Sequence, residues 1–159
     1  MSDQARRQRK NERSRFKRRS DRLFEQTDEF GKLFNSRVYL VVQSREGEFL
    51  IYNNSSDKGW PPSPHDGVEC ETPSSLATAS AAEQHRSKFE KKKRRLLVYA
   101  DNFASHFAAN VYLVIQHATG YMISYNSSQS KAWPPPKKQI KRLCPSAKWR
   151  GPQEYDGPL

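Results

Sequence analysis

The sequence predicts an α+β fold in which two αββ repeats pair as an intramolecular pseudo-dimer, with two helices on a four-stranded antiparallel sheet. Three observations predict it. The chain repeats itself at an offset of 73 residues, each copy has an apolar stripe at helical spacing, and each stripe precedes a hairpin pattern. With 159 residues and 35% hydrophobic content, the chain can bury one modest core or two very small ones.

The repeat is clearest in one strand-like segment, where VYLVVQ from Val38 to Gln43 recurs as VYLVIQ from Val111 to Gln116. Without a gap, the same offset places Trp60-Pro61-Pro62 on Trp133-Pro134-Pro135. Convergent composition in two basic segments would not keep tryptophan, glycine and several aromatic residues in one register. The pattern therefore indicates an internal duplication.

Each copy begins with a helical pattern. Phe16, Leu23 and Phe30 follow a heptad-like spacing in the first copy, and the offset repeats it in the second copy as Phe89, Leu96 and Phe103. Neither stretch contains proline, so we expect helices near residues 15–34 and 88–108.

Each copy then continues as a hairpin. A β-branched and aromatic run leads to a turn at Gly47 or Gly120, and a second strand is expected over 48–52 or 121–125. The Trp-Pro-Pro element ends that strand because proline lacks the N–H of a ladder, and its tryptophan can fold back over a hydrophobic face. A polyproline ligand for an SH3 or WW domain is the alternative interpretation.

An isolated hairpin is marginally stable in water, so the two units are expected to complete each other. The predicted pairing core comprises Phe16, Leu23, Phe30, Phe34, Val38, Leu40, Phe89, Leu96, Phe103, Phe107, Val111 and Leu113. Pairing within one chain and domain swapping between two chains are both open at this point.

The pattern divides the chain into five segments. These are a basic N-terminal arm (1–12), repeat 1 (13–62), a flexible acidic linker rich in Pro and Ser (63–85), repeat 2 (86–136) and a basic, disordered tail (137–159).

The formal net charge of +11 favours a polyanionic partner, and the placement of that charge favours double-stranded DNA. Basic residues precede or open each helix. The predicted DNA-contacting residues are Arg6, Arg7, Arg9, Lys10, Arg13, Arg15, Lys17, Arg18, Arg19, Arg22, Arg86, Lys88, Lys91, Lys92, Lys93, Arg94 and Arg95. The alternative is that these basic residues form a solvated face that serves as a nuclear-import signal and binds no DNA. Both interpretations place the protein in the nucleus.

Other function classes find little support in the residues. No apolar window is long enough for a membrane span, and the N-terminus lacks the apolar core of a secretory signal. Cys70 and Cys144 stand alone, which argues against zinc or a disulfide framework. The histidines are scattered and no catalytic motif is present, so we expect no enzyme, no cofactor and no metal.

The first copy resembles a known family. Phe16-Lys17-Arg18-Arg19, Leu23, Glu29, Leu33 and the strand at Val38 look like the helix and first strand of a MADS-box domain. The resemblance covers residues 13–52 and, in the second copy, 86–125. It implies a divergent tandem repeat with two antiparallel helices that lie on A/T-rich DNA, and an N-terminal arm in the minor groove.

The resemblance has departures. The family's paired helix lysines fall on Glu25-Gln26 and Val98-Tyr99, and its helix glycine falls on Arg22 and Arg95. The expected function is a transcriptional regulator that binds DNA as a single-chain pseudo-dimer, with other transcription factors as further partners. The chief alternative is a protein-interaction module that has lost the lysines needed to bind DNA. A binder of structured RNA is the third possibility.

Overall fold

The computed structural model describes residues 2–55, 60–61, 69–70, 87–117, 122–128 and 133–151. In chain order the elements are α1 (Asp3–Leu33), β1 (Arg37–Gln43), β2 (Phe49–Asn53), β3 (Glu69–Cys70), α2 (Ser87–Phe107), β4 (Asn110–Gln116), β5 (Met122–Asn126), α3 (Lys137–Leu143) and β6 (Lys148–Arg150). Two predicted features lie outside the described residues: the cation Arg86 and the turn at Gly120.

The centre of the sheet is the antiparallel pair of β1 and β4. Leu40 lies opposite Leu113, Val38 opposite Ile115, and Val42 opposite Val111. Since the sequence offset also equates Leu40 with Leu113, the ladder is symmetric about that position. Each central strand also pairs antiparallel with the second strand of its own hairpin.

The predicted four-stranded antiparallel sheet under two helices is wrong. Among the described residues the sheet is mixed and runs in the order β3-β5-β4-β1-β2-β6. β6 pairs parallel with β2, and the two-residue β3 pairs parallel with β5. The outer strands of a two-hairpin sheet would leave rows of unpaired N–H and C=O groups, and these short strands cover part of them.

The first core lies between the sheet and the pair α1 and α2. All twelve residues of the predicted pairing core belong to it, although Phe16, Phe34, Phe89 and Phe107 are only partly buried. Asp28 on α1 accepts a 2.7 Å hydrogen bond from the hydroxyl of Tyr52. At the equivalent positions of the second copy, Asp101 accepts one of 2.7 Å from Tyr125, so each helix is attached to its own hairpin in the same way.

A second core covers the opposite face of the sheet. It contains Trp60 and Trp133 together with Ile140 of α3, and these pack over strand residues such as Tyr39 and Val114. The structure therefore has three layers instead of the expected two. The uninterrupted apolar runs of β1 and β4 are the sequence signal for this, because a strand buried on one face only alternates apolar and polar residues.

Three segment predictions are also corrected. Residues 3–12, expected as an arm, form the first turns of α1, which is capped by a hydrogen bond from the Ala5 N–H to the Ser2 hydroxyl oxygen. Within 137–159, expected to be disordered, α3 and β6 are ordered because Ile140 is buried and β6 adds to the sheet. Within the predicted linker 63–85, Glu69–Cys70 forms β3, and the rest lies outside the described residues.

The two copies differ where each helix approaches its hairpin. Asn54 bridges this junction in the first copy, since its Oδ1 accepts from the Val38 N–H at 2.8 Å and its Nδ2 donates to the Ser36 carbonyl at 2.9 Å. A Cβ added to Gly31 would lie 2.8 Å from that Nδ2. In the second copy the equivalent residues are Ala104 and the shorter Ser127. Gly31 therefore makes room for Asn54.

We expect Gly31→Ala to destabilise the protein by about 1 to 3 kcal/mol, because the added methyl group overpacks the junction. Asn54→Ser alone should cost about 1 kcal/mol through the lost bond to Ser36. The double variant recreates the arrangement of the second copy, so the two costs should fall short of additivity by at least about 1 kcal/mol. Chemical denaturation of all four proteins measures this coupling, and strictly additive costs would contradict the steric argument.

Burial raises the pKa of the Tyr39 hydroxyl far above its usual value, and the neighbouring Tyr112 adds to this effect. Below the ordinary tyrosine pKa of about 10, both folded and unfolded chains carry the proton. Above it the unfolded chain loses that proton and the folded chain keeps it, so the free energy of unfolding falls as pH rises.

We expect Tyr39→Phe to reduce the slope of this alkaline destabilisation by up to about 1.4 kcal/mol per pH unit. Denaturation of both proteins between pH 9 and 11 measures the difference. Identical slopes would show that Tyr39 ionises as easily in the folded chain as in the unfolded one.

Candidate nucleic-acid interface

The two long helices run antiparallel across the sheet. The ring of Phe16, in the first half of α1, lies 5.4 Å from that of Phe107 at the end of α2. At the other end of the pair, Phe34 lies 5.1 Å from Phe89 in the first turn of α2. The offset of 73 exchanges these two contacts. The basic beginnings of the helices therefore lie at opposite ends of one layer.

Most of the predicted DNA-contacting side chains are exposed on this layer. On α1 these are Arg6, Arg7, Arg9, Lys10, Arg13, Arg15, Lys17, Arg18, Arg19 and Arg22. On α2 they are Lys88, Lys91, Arg94 and Arg95, while Lys92 is half-buried. Lys93 differs, because its side chain is buried and its Nζ lies 2.8 Å from the Glu90 carboxylate. The structure thus assembles two exposed basic groups and leaves Lys93 outside them.

The cations of α1 occupy two sides of the helix. Arg15, Arg18 and Arg22 follow a spacing of three and four residues, which places neighbours on one side. A second set lines an open groove with a volume of about 440 Å³. Its cations are Arg6, Arg9, Lys10, Arg13 and Lys17, and Ser14 lies among them. The carboxylate of Glu46, in the turn after β1, lies 4.0 Å from Arg13. Asp3 and Glu12 are further acids of α1, within one turn of Arg6 and Arg9.

Arg19 and Arg22 of α1 lie near the middle of the helix pair. The Tyr99 hydroxyl donates a 3.2 Å hydrogen bond to the Arg19 carbonyl oxygen across the two helices. Partial burial raises the pKa of Tyr99, and the guanidinium groups of Arg22 and Arg19 act in the opposite direction. These two arginines therefore lie close to the point where α2 crosses α1.

The second half of α1 carries acidic groups instead. Glu25 and Glu29 are both exposed, and Glu25 takes the place of one of the paired helix lysines of the MADS-box pattern. Phe30 packs 5.3 Å from Phe89, so this acidic half lies level with the basic beginning of α2. Part of the positive field of α2 is offset there.

Sequence reasoning missed one residue that joins the tail to the helix layer. Arg150 of β6 places its Nη1 2.9 Å from the Asp21 carboxylate and its guanidinium carbon 5.1 Å from the centre of the Phe24 ring. Asp21 has no acidic counterpart in the second copy, where the offset gives Arg94. No local pattern marks Arg150, because its partners lie more than a hundred residues away in the chain.

Comparison of the chain with protein-family models, with curated proteins and with solved structures gave no match. Any proposal for the function therefore depends on the geometry of the helix layer. Among the helices that the structure describes, none is long and apolar enough to cross a membrane.

His106 and His117 each pack against a phenylalanine ring, with centroids 4.6 and 4.8 Å apart. His65 and His85 lie outside the described residues.

We expect Lys93→Gln and Lys91→Gln, two neighbours with the same charge change, to act on different properties. Lys93→Gln removes a buried ion-pair partner of Glu90 and should lower the free energy of unfolding by about 1 kcal/mol or more. Lys91→Gln changes an exposed position and should stay within about 0.5 kcal/mol. Denaturation measures both, and equal stabilities would contradict the buried placement of Lys93.

Proposed function

We propose that the protein binds double-stranded DNA through the exposed side of α1 and α2. The supporting observation is the antiparallel packing of the helices, seen at Phe16–Phe107 and Phe34–Phe89, which separates the two basic groups along one continuous surface. Cations arranged in this way can contact phosphates and release counterions, which is the main sequence-independent contribution to DNA affinity.

The spacing of the two groups supports a duplex. The contacts of Phe89 with Phe30 and Phe34 place the beginning of α2 level with the end of α1. From Arg9 to this level is about 20 residues of helix, or about 30 Å at 1.5 Å per residue. One turn of B-DNA advances about 34 Å. The two groups can therefore reach phosphates on the same side of the duplex about one turn apart.

Transcriptional regulation, A/T preference and membership of the MADS-box family are parts of this proposal that rest on the sequence resemblance. Two observations count against the A/T preference. The family's minor-groove arm would have to come from residues that are helical here, and the exposed Glu25 and Glu29 reduce the positive charge beside α2.

A protein-interaction module is the second candidate. It is supported by two exposed apolar side chains, Leu33 at 47% and Val98 at 37% relative exposure. Val98 takes the place of one of the helix lysines in the family's pattern. Valine cannot contact a phosphate as lysine does, so this replacement favours a protein partner over DNA at that position.

The test is an anisotropy titration against an A/T-rich duplex with C/G flanks, a scrambled duplex and a structured RNA at several salt concentrations. We expect the tightest binding to the A/T-rich duplex, with affinity falling steeply as salt rises. Replacing Arg15, Arg18, Lys91 and Arg95 together by Gln should lower the salt slope by about 3 to 4, because four phosphate contacts are lost.

A matched control removes the same number of charges from the other side of the sheet. It replaces Lys137, Lys138, Lys141 and Arg142, which all belong to α3, by Gln. This variant should keep the slope of the unaltered protein. Equal losses in both variants would mean attraction by net charge alone. Weak, equal binding to all three nucleic acids would favour the protein-interaction module. Preference for the RNA would favour a binder of structured RNA.

A further inference from the structure

α1 projects beyond the helix pair at one end. α2 ends at Phe107, whose ring packs on Phe16 of α1, so no helix of the described residues lies beside the first turns of α1. From residue 3 to residue 12, every side chain except the half-buried Ala5 is exposed. Residues 3–12 of α1, here called the projecting segment, thus form about 15 Å of solvated helix at 1.5 Å per residue.

The projecting segment has no basic counterpart in the second copy. Its four cations are Arg6, Arg7, Arg9 and Lys10, and the offset of 73 equates them with Ala79, Ser80, Ala82 and Glu83. The pseudo-symmetry that relates the two hairpins and the two aromatic contacts therefore stops at this point. One end of the layer carries additional positive charge and the other end does not.

The cations of the projecting segment continue both sets of cations on α1. Arg7 lies on the side of Arg15 and Arg18, whereas Arg6, Arg9 and Lys10 line the open groove of about 440 Å³ that also includes Arg13 and Lys17. The acids beside this groove are few: Glu46 lies 4.0 Å from Arg13, and Asp3 and Glu12 lie on the same helix within one turn of Arg6 and Arg9. Crowding of like charges along one side of a helix is unfavourable without a polyanion beside it, so the groove is suited to follow a phosphate backbone away from the helix pair.

We propose that the chain binds its duplex in one orientation, with the projecting segment extending the phosphate contacts on that side only. A helix 15 Å long that lies along DNA spans about four base pairs, at roughly 3.4 Å for each. The binding site is then longer on one side of the pseudo-axis and not palindromic. This inference rests on the proposed DNA binding.

The test begins with selection of duplexes by the full chain from a random library, followed by hydroxyl-radical footprinting on the selected site. We expect protection to reach about four base pairs further from the pseudo-axis on one side than on the other. Replacing Arg6, Arg7, Arg9 and Lys10 together by Gln should remove this outer protection and lower the salt slope by about 4. Gln has a helix propensity close to that of Arg and Lys, so the melting temperature should be retained.

The matched variant replaces Lys88, Lys91, Lys92 and Arg95 by Gln. It should lose protection on the opposite side of the pseudo-axis and keep the outer four base pairs. A footprint that is mirror-symmetric, or outer protection that survives loss of the four projecting cations, would overturn the single orientation and leave DNA binding intact. Absence of protection on every duplex, with no enrichment in the selection, would overturn both proposals.

Discussion

The antiparallel ladder between β1 and β4, centred on Leu40 and Leu113, is the interaction on which the rest of the structure depends. It joins two hairpins, each of which would be marginal alone, into one sheet. It also fixes the register of everything attached to them. Because side chains alternate between faces along a strand, a slip of one residue would move Val38 and Leu40 from the helix side to the opposite side.

The antiparallel arrangement of the helices follows from this ladder. Each helix is held to its own hairpin by a tyrosine hydroxyl on a buried or part-buried aspartate, Tyr52 on Asp28 and Tyr125 on Asp101. Once the hairpins are related by an approximate two-fold axis, the helices must be related by the same axis. Their basic beginnings then lie at opposite ends of the layer, and the proposed DNA binding depends on this separation.

The duplication has also diverged, and the differences affect the packing between helix and hairpin and the surface charge. Gly31 and Asn54 in one copy correspond to Ala104 and Ser127 in the other, a paired change that keeps each junction filled. The four cations of the projecting segment of α1 have no equivalent in the second copy. A single chain can hold such differences permanently, whereas two identical subunits would carry the same residues at both ends.

The sequence by itself determined the local elements, because the helical stripe from Phe16 to Phe34, the β-branched run at Val38 and the offset of 73 are all short-range or repetitive signals. The same signals predicted the residues of the core between the helices and the sheet. They also predicted most of the exposed cations of the helix layer. Only the tertiary structure decided the third layer, the parallel strands β3 and β6, the helical state of residues 3–12 and the burial of Lys93. These depend on contacts between distant segments, such as Arg150 with Asp21, for which the neighbouring residues in the chain carry no pattern.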